Sequence, residues 1–185
     1  KRDHKKLGRE LGIFMMSEYA PGMPFFLPNG MILRNILENF WYEEHTKEHY
    51  QFIKTPIMMS KELWKTSGHW DNYKENMYIS MVDDREFAIK AGLHSYKDFP
   101  LRMGELGQVH RHEASGALNG LFRVRTFTQD DAHIFMRPDQ IESEVMSLIS
   151  FIDRIYASLG LSYRIELSTR PEEKYIGDLA IWEAS

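Results

Sequence analysis

Residues 107–135 read GQVHRHEASGALNGLFRVRTFTQDDAHIF, and the fold turns on this stretch. Two segments able to run as strands, 101–110 and 121–135, flank residues 113–120. That middle holds Ser115, Gly116, Asn119 and Gly120, which accept tight or left-handed backbone. The pattern predicts a long antiparallel hairpin with a mobile tip. Along its arms lie Arg111, Glu113, Arg123, Arg125, Gln129, Asp130, Asp131 and His133. So many guanidinium forks and carboxylates are costly to bury for packing alone. They suit the wall of a cleft that takes a charged ligand.

Spacing sharpens the expectation. Side chains alternate along a strand, so Arg111 and Glu113 would share one face, as would Arg123 and Phe127. A guanidinium fork suits phosphate, and a phenyl ring offers a plate on which a base can stack. Gln129, Asp131 and His133 also alternate, which puts all three on one side of the second strand. The plain alternative is a solvated hairpin laced with surface ion pairs. The Gly-rich tip, the second Arg and the Phe in register favour the cleft.

Outward from the hairpin, the composition is that of an ordinary globular domain, 43% apolar and 27% charged over 185 residues. A net charge of −4 gives no overall attraction to nucleic acid, so any such contact needs a local patch. With no cysteine there is neither a disulfide framework nor a Cys-based metal site in this sequence. No apolar run reaches membrane-spanning length and no signal-peptide core opens the chain, which points to the cytoplasm. The opening Lys1-Arg2-Asp3-His4, without Met, implies further sequence upstream.

In chain order, residues 3–11 predict a short helix interrupted by Gly8 and stopped near Gly12, followed by a strand over 13–16. Residues 19–30 carry Pro21, Gly22, Pro24 and Pro28, a loop around a short strand at Phe25, Phe26 and Leu27. Asn29 is then the expected cap of a long helix to about residue 49. Its apolar positions Ile32, Leu33, Ile36, Leu37, Phe40 and Trp41 follow helical period. A strand over 50–53 ends before Pro56. Within that helix His45-Thr46-Lys47-Glu48-His49 spells H-x-x-E-H, a zinc-peptidase pattern. The helix ends too soon for it, among charged, solvated neighbours, and the pattern is set aside.

Beyond it the sequence predicts a helix over 60–66, an aromatic turn at His69, Trp70 and Tyr73, and a hairpin over 77–89. After the 107–135 stretch, Pro138, Asp139 and Glu142 mark a helix start. Ile141, Val145, Leu148, Ile152, Ile155 and Leu159 form its apolar face, and Gly160 closes it. Alternation over 161–168 predicts one more strand.

Arg-x-Glu, a loop, then Arg-x-x-x-Phe resembles motif 2 of class II aminoacyl-tRNA synthetases. The wording around it, from LRMGELGQVHRHEASGALNGLFRVR through FTQDDAHIF, is similar to threonyl-tRNA synthetases. So are DHKKLGRELGIF, APGMPFFLPNG, LWKTSGHWDNYKENMY and LSTRPEEKYIGD, which together reach over nearly the whole chain.

The resemblance implies an α/β fold, a mostly antiparallel sheet flanked by helices. It implies that residues 1–185 are the N-terminal portion of a class II catalytic domain. Motif 1 falls at about 29–56 as a homodimer interface and motif 2 at about 101–135. Motif 3 and the editing and anticodon-binding domains have no counterpart in the sequence. The implied reaction is ATP-dependent activation of threonine and its transfer to tRNA(Thr), with Mg²⁺ accompanying ATP. On this pattern Arg111 addresses the α-phosphate and the threonine carboxylate, and Phe127 stacks on adenine. Arg123 reaches toward the γ-phosphate, and Glu113 accepts a hydrogen bond from the nucleotide or the tRNA end. Gln129 and Asp131 address threonine, and His133 is a Zn²⁺ ligand. His110 and His112 are given no role. One departure stands out: the family carries a Met-Asn-Cys-Pro-Gly-His segment, with a zinc-binding Cys, between the positions of Lys90 and Ala91, and here it is missing. Both flanks match the family too closely for a lost catalytic element, so the segment is expected to belong to the protein. A true deletion would instead favour a non-catalytic, dimeric RNA-binding or regulatory relative, but such a relative should have lost Arg111, Phe127 or His133, and all are present.

Overall fold

The computed structural model describes residues 2–57, 62, 65, 96–171, 179 and 180. The predicted helix at 60–66 falls largely outside them. The aromatic turn, the 77–89 hairpin and the Lys90–Ala91 junction lie wholly outside the described residues. The chain forms two units, Lys1–Ile141 and Glu142–Ser185.

In the first unit, helix α1 (His4–Glu10) is capped by Asp3, whose carboxylate accepts from the backbone N–H of Lys5 at 2.8 Å. Hydrogen bonds from the Lys5 and Lys6 amides hold that carboxyl below the usual aspartate value. Strands β1 (Phe14–Met15) and β2 (Phe25–Phe26) pair antiparallel, with Phe14 opposite Phe26. Helix α2 (Pro28–Lys47) follows at once. Its cap position is Leu27, not Asn29, because Pro28 already occupies the first helical position, where a missing N–H costs nothing. Asn29 instead donates its side-chain amide to the Leu11 carbonyl at 2.8 Å, tying α2 to the end of α1. Gly30 lies so close to β1 that a Cβ there would overlap the Ile13 carbonyl oxygen.

Strand β3 (Gln51–Phe52) runs parallel to β4 (Leu101–His110), and β4 pairs antiparallel with β5 (Thr126–Phe135). The β4–β5 ladder runs unbroken from Leu101 opposite Phe135 to His110 opposite Thr126. The sheet is therefore mostly antiparallel, as expected. Residues 121–125, expected in the second strand, lie outside it.

Helix α2 covers one face of this sheet. Gly104 leaves room for the Trp41 ring, whose edge lies 3.5 Å from where a Cβ would be. Trp41, Tyr42, His45, Tyr50 and Phe52 form an aromatic cluster with ring centroids 4.1 to 5.3 Å apart. Among the described residues of the unit, Trp41, Tyr50, Leu101, Val124 and Phe14 are the buried large apolar side chains. The opposite flank of α2 stays uncovered, with Ile32 and Ile36 60% and 59% exposed. The helix stops at Lys47, and His49 turns the chain with φ +61°. His45 and His49 thus do not share a helical face, and H-x-x-E-H is no metal motif here.

Helix α3 spans Ile141–Ser158, all but its first residue in the second unit. Gly160, at φ +67°, closes it with paired bonds from Leu161 N–H to the Tyr156 carbonyl (2.9 Å) and from Gly160 N–H to the Ala157 carbonyl (3.0 Å). Residues 161–168 do not form the strand their alternation predicts. A strand needs a neighbour to accept its backbone ladder, and no described strand pairs with it. Ile165 and Leu167 are exposed. Among the described residues no helix is long and apolar enough to cross a membrane.

Candidate active site

The β4–β5 ladder sorts its side chains between two faces. Gly104, Thr128 and Asp130 meet α2: Thr128 Oγ1 accepts from Arg34 at 2.8 Å, and Asp130 accepts from Trp41 Nε1 at 2.6 Å. Period two then turns Phe127, Gln129, Asp131 and His133 to the other face. Gln129, Asp131 and His133 are exposed there, in a row. Their cross-strand neighbours are Val109 for Phe127, Gly107 for Gln129, Glu105 for Asp131 and Met103 for His133. Glu105 carries no motif signal in the sequence. Its carboxylate accepts from the Thr55 N–H at 2.6 Å and the Thr55 hydroxyl at 2.9 Å, fastening the chain that leaves β3.

Asp130 does not line the same surface as Asp131. It lies on the helix side, with His45 Nε2 3.4 Å from its carboxylate. Desolvation pushes the Asp130 carboxyl up, but hydrogen bonds from His45 and Trp41 outweigh it and hold the group below the usual aspartate value. Adjacent aspartates thus do different work. One fastens β5 to α2, and the other faces outward.

At the tip end, Arg111 continues the open face. Its N–H bonds the Arg125 carbonyl at 2.9 Å, and its guanidinium carbon lies 5.3 Å from the centroid of the Phe127 ring. The expected phosphate clamp and the expected base-stacking plate are therefore brought together. Among the described residues no carboxylate pairs with Arg111. Arg123, in contrast, is bound to Glu113 by an ion pair of 3.0 Å.

The expectation that Arg111 and Glu113 share a strand face, and Arg123 and Phe127 another, needs correction. Residues 111–114 have left the ladder, and Arg123 precedes β5 in a turn where Asn119 N–H bonds the Arg123 carbonyl at 3.0 Å. The cause is long-range. His4 of α1 accepts the Leu121 N–H at 3.2 Å and packs its ring 4.2 Å from that of Phe122. Arg125 ties the other side of the tip to the loop before β2. The tip expected to be mobile is docked at both flanks, and docking pulls it off the strand path.

His133 stacks beside Phe135, with ring centroids 6.4 Å apart. Among the described residues no group of three His, Cys, Asp or Glu side chains could hold a metal ion. A catalytic zinc needs three protein ligands; the described residues offer His133 alone and do not make that site.

Comparison with known proteins decides the family. Residues 70–184 match the tRNA synthetase class II core domain (G, H, P, S and T). The chain belongs to this class II synthetase family. Among its relatives, the threonine–tRNA ligase of Syntrophomonas wolfei is 56% identical over the whole chain, and threonine–tRNA ligase 2 of Bacillus subtilis is 57% identical. The chain spans 31% of the length of each. Both alignments run over 197 positions against 185 residues here, a difference of 12, so these relatives carry residues inside the matched span that this chain lacks. The RNA binding domain of threonyl-tRNA synthetase from Cryptosporidium parvum superposes with a TM-score of 0.89 at 41% identity, over 99% of this chain and 49% of that one. A prolyl-tRNA synthetase of Giardia lamblia, in complex with prolyl-adenylate, superposes with a TM-score of 0.69 over 83% of this chain and 35% of that one. At 19% identity it shares the class II fold alone.

Proposed function

We propose that the protein is a threonine–tRNA ligase in which the open face of β4–β5 holds ATP and threonine side by side. The observation that carries this reading is Arg111, an exposed guanidinium without an acidic partner among the described residues, lying over Phe127 at the head of the row Gln129, Asp131, His133. A permanently charged fork left unpaired suits an anionic ligand.

On this reading the threonine carboxylate attacks the α-phosphate of ATP, the bond to the β-phosphate bridging oxygen breaks, and pyrophosphate leaves; magnesium accompanying the ATP would supply charge neutralisation on its phosphates. A hydroxyl of the terminal tRNA ribose then attacks the threonyl carbonyl and AMP departs. No protein nucleophile is needed. Catalysis comes from positioning and from neutralising charge on the phosphoryl oxygens. Arg111 bridges the α-phosphate and the threonine carboxylate. Phe127 stacks on adenine, and Arg123 reaches toward the γ-phosphate while Glu113 orients it or accepts from ligand. Gln129 and Asp131 address the amino and hydroxyl groups of threonine. No step is routed through zinc.

The bare Ile32, Leu33, Ile36 and Leu37 flank of α2 supports a homodimer formed through motif 1, at about 29–56. We read residues 1–185 as the leading part of the catalytic domain of a cytoplasmic enzyme. The competing reading is a non-catalytic, RNA-binding synthetase-like protein. The 12 positions by which the relatives exceed this chain are in its favour, and the retained Arg111, Phe127 and His133 are against it. ATP–pyrophosphate exchange by the full-length protein separates the two. Threonine should drive exchange, with valine and serine far weaker; tRNA binding without amino-acid-dependent exchange would support the competitor.

A further inference from the structure

We infer that Arg125 is a positioning residue for the nucleotide end of the site, a clamp that fixes Glu113 and Arg111 by holding the hairpin tip against the loop before β2. The inference rests on the ATP site proposed above.

Arg125 stands one residue before β5, half-buried. Its Nε and Nη2 both donate to the Glu113 carbonyl, at 2.9 and 2.7 Å, and Nη2 also donates to Ser115 Oγ at 3.1 Å. Nη1 donates to the Pro21 carbonyl at 3.1 Å, and the Arg125 N–H donates to the Gly22 carbonyl at 2.6 Å. The Arg125 carbonyl accepts from Arg111 N–H. One residue therefore grips both arms of the tip and the 21–22 turn.

The rigid planar fork matters here. Lys would keep the charge but could not satisfy carbonyls in two directions at once. Among the described residues no carboxylate neutralises Arg125, so its charge is spent on backbone oxygens and not on an ion pair. The fit of the turn is equally strict. Gly22 has φ +80°, and a Cβ there would come within 2.9 Å of Arg125 Cγ and 3.0 Å of Leu118 Cδ1.

Releasing the clamp frees the Glu113 backbone and, with it, the Glu113–Arg123 pair and the Arg111 stack. The row Gln129, Asp131, His133 is held separately, by the β4 ladder and by α2 behind Asp130. A positioning role is thus expected to be selective for nucleotide over amino acid, whereas a merely structural role would weaken both.

The test compares wild type, Arg125→Lys and Gly22→Ala in the full-length protein. Circular dichroism checks the fold, and titration calorimetry reads affinity for a non-hydrolysable ATP analogue and, separately, for threonine. Both variants should keep the fold and bind the analogue about 10- to 100-fold more weakly, with threonine affinity within about threefold. Gly22→Ala is the independent arm, since it displaces Arg125 without changing it. Analogue affinity unchanged in both variants, equal losses for both ligands, or loss of fold in both would each overturn the inference. A wild type that binds the analogue but shows no threonine-dependent exchange would refute the ligase reading, while the analogue titrations would still decide the role of Arg125.

Discussion

Replacing Trp41 by Phe probes the joint that fastens the site-bearing strand to α2. The substitution keeps an aromatic ring beside His45 and Phe52 but removes the 2.6 Å donor to Asp130. A hydrogen bond to a charged acceptor contributes about 1.5–3 kcal/mol. The Asp130 side chain is 59% exposed, so water re-solvates it and that contribution falls to about 1 kcal/mol. The smaller ring in a buried position adds about 1–1.5 kcal/mol of lost apolar contact and cavity. Urea unfolding followed by circular dichroism should therefore show a loss of about 2–3 kcal/mol with unchanged m-value. Because the folded state holds the Asp130 carboxyl below its ordinary value, its contribution is present above that value and is lost as pH falls through the lower one. The gap between wild type and variant should narrow in acid. A loss under about 0.5 kcal/mol, or a gap that does not narrow as pH falls below the ordinary aspartate range, would refute the reasoning.

Two further outcomes follow from close approach and from facing. Gly30→Ala gains about 1 kcal/mol of helix propensity, yet its Cβ would overlap the Ile13 carbonyl oxygen and reach within 2.9 Å of the Ile13 carbonyl carbon. Backbone must shift, so a net loss of about 2 kcal/mol or more is expected in thermal unfolding; a melting temperature at or above wild type would count against the β1–α2 contact. Asp131→Asn should raise the KM for threonine about tenfold or more while leaving that for ATP nearly unchanged. Asp131 faces outward and carries no helix contact of the kind Asp130 makes, so a general loss of fold would contradict its assigned face.

The hairpin was legible because two runs of strand-forming residues flank a stretch rich in Gly, Ser and Asn. The ladder from Leu101–Phe135 to His110–Thr126 follows that reading. Period two likewise put Gln129, Asp131 and His133 on one side. It could not say which side α2 would cover, so Asp130 looked like a cleft residue until Trp41 and His45 claimed it. Arg111 and Glu113 looked like strand neighbours because nothing in local spacing announces that His4, about 117 positions away, will dock the tip. The strand expected over 161–168 failed for the opposite reason: alternation describes a surface, but only a neighbouring strand makes it a ladder. Residue type alone points to Asn29 as the cap, but the deciding residue is Pro28 at the first helical position.

The measurement that bears most directly on the account is threonine-dependent ATP–pyrophosphate exchange by the full-length protein with Arg111 intact and with Arg111→Lys. Lysine preserves the positive charge and loses the planar fork. If Arg111 clamps the α-phosphate and the threonine carboxylate together, the variant should lose about 2–4 kcal/mol of transition-state stabilisation, roughly 30- to 1000-fold in kcat/KM. Exchange within a few-fold of wild type would contradict the assignment of Arg111 and, with it, the proposal that the open face of β4–β5 is the catalytic surface.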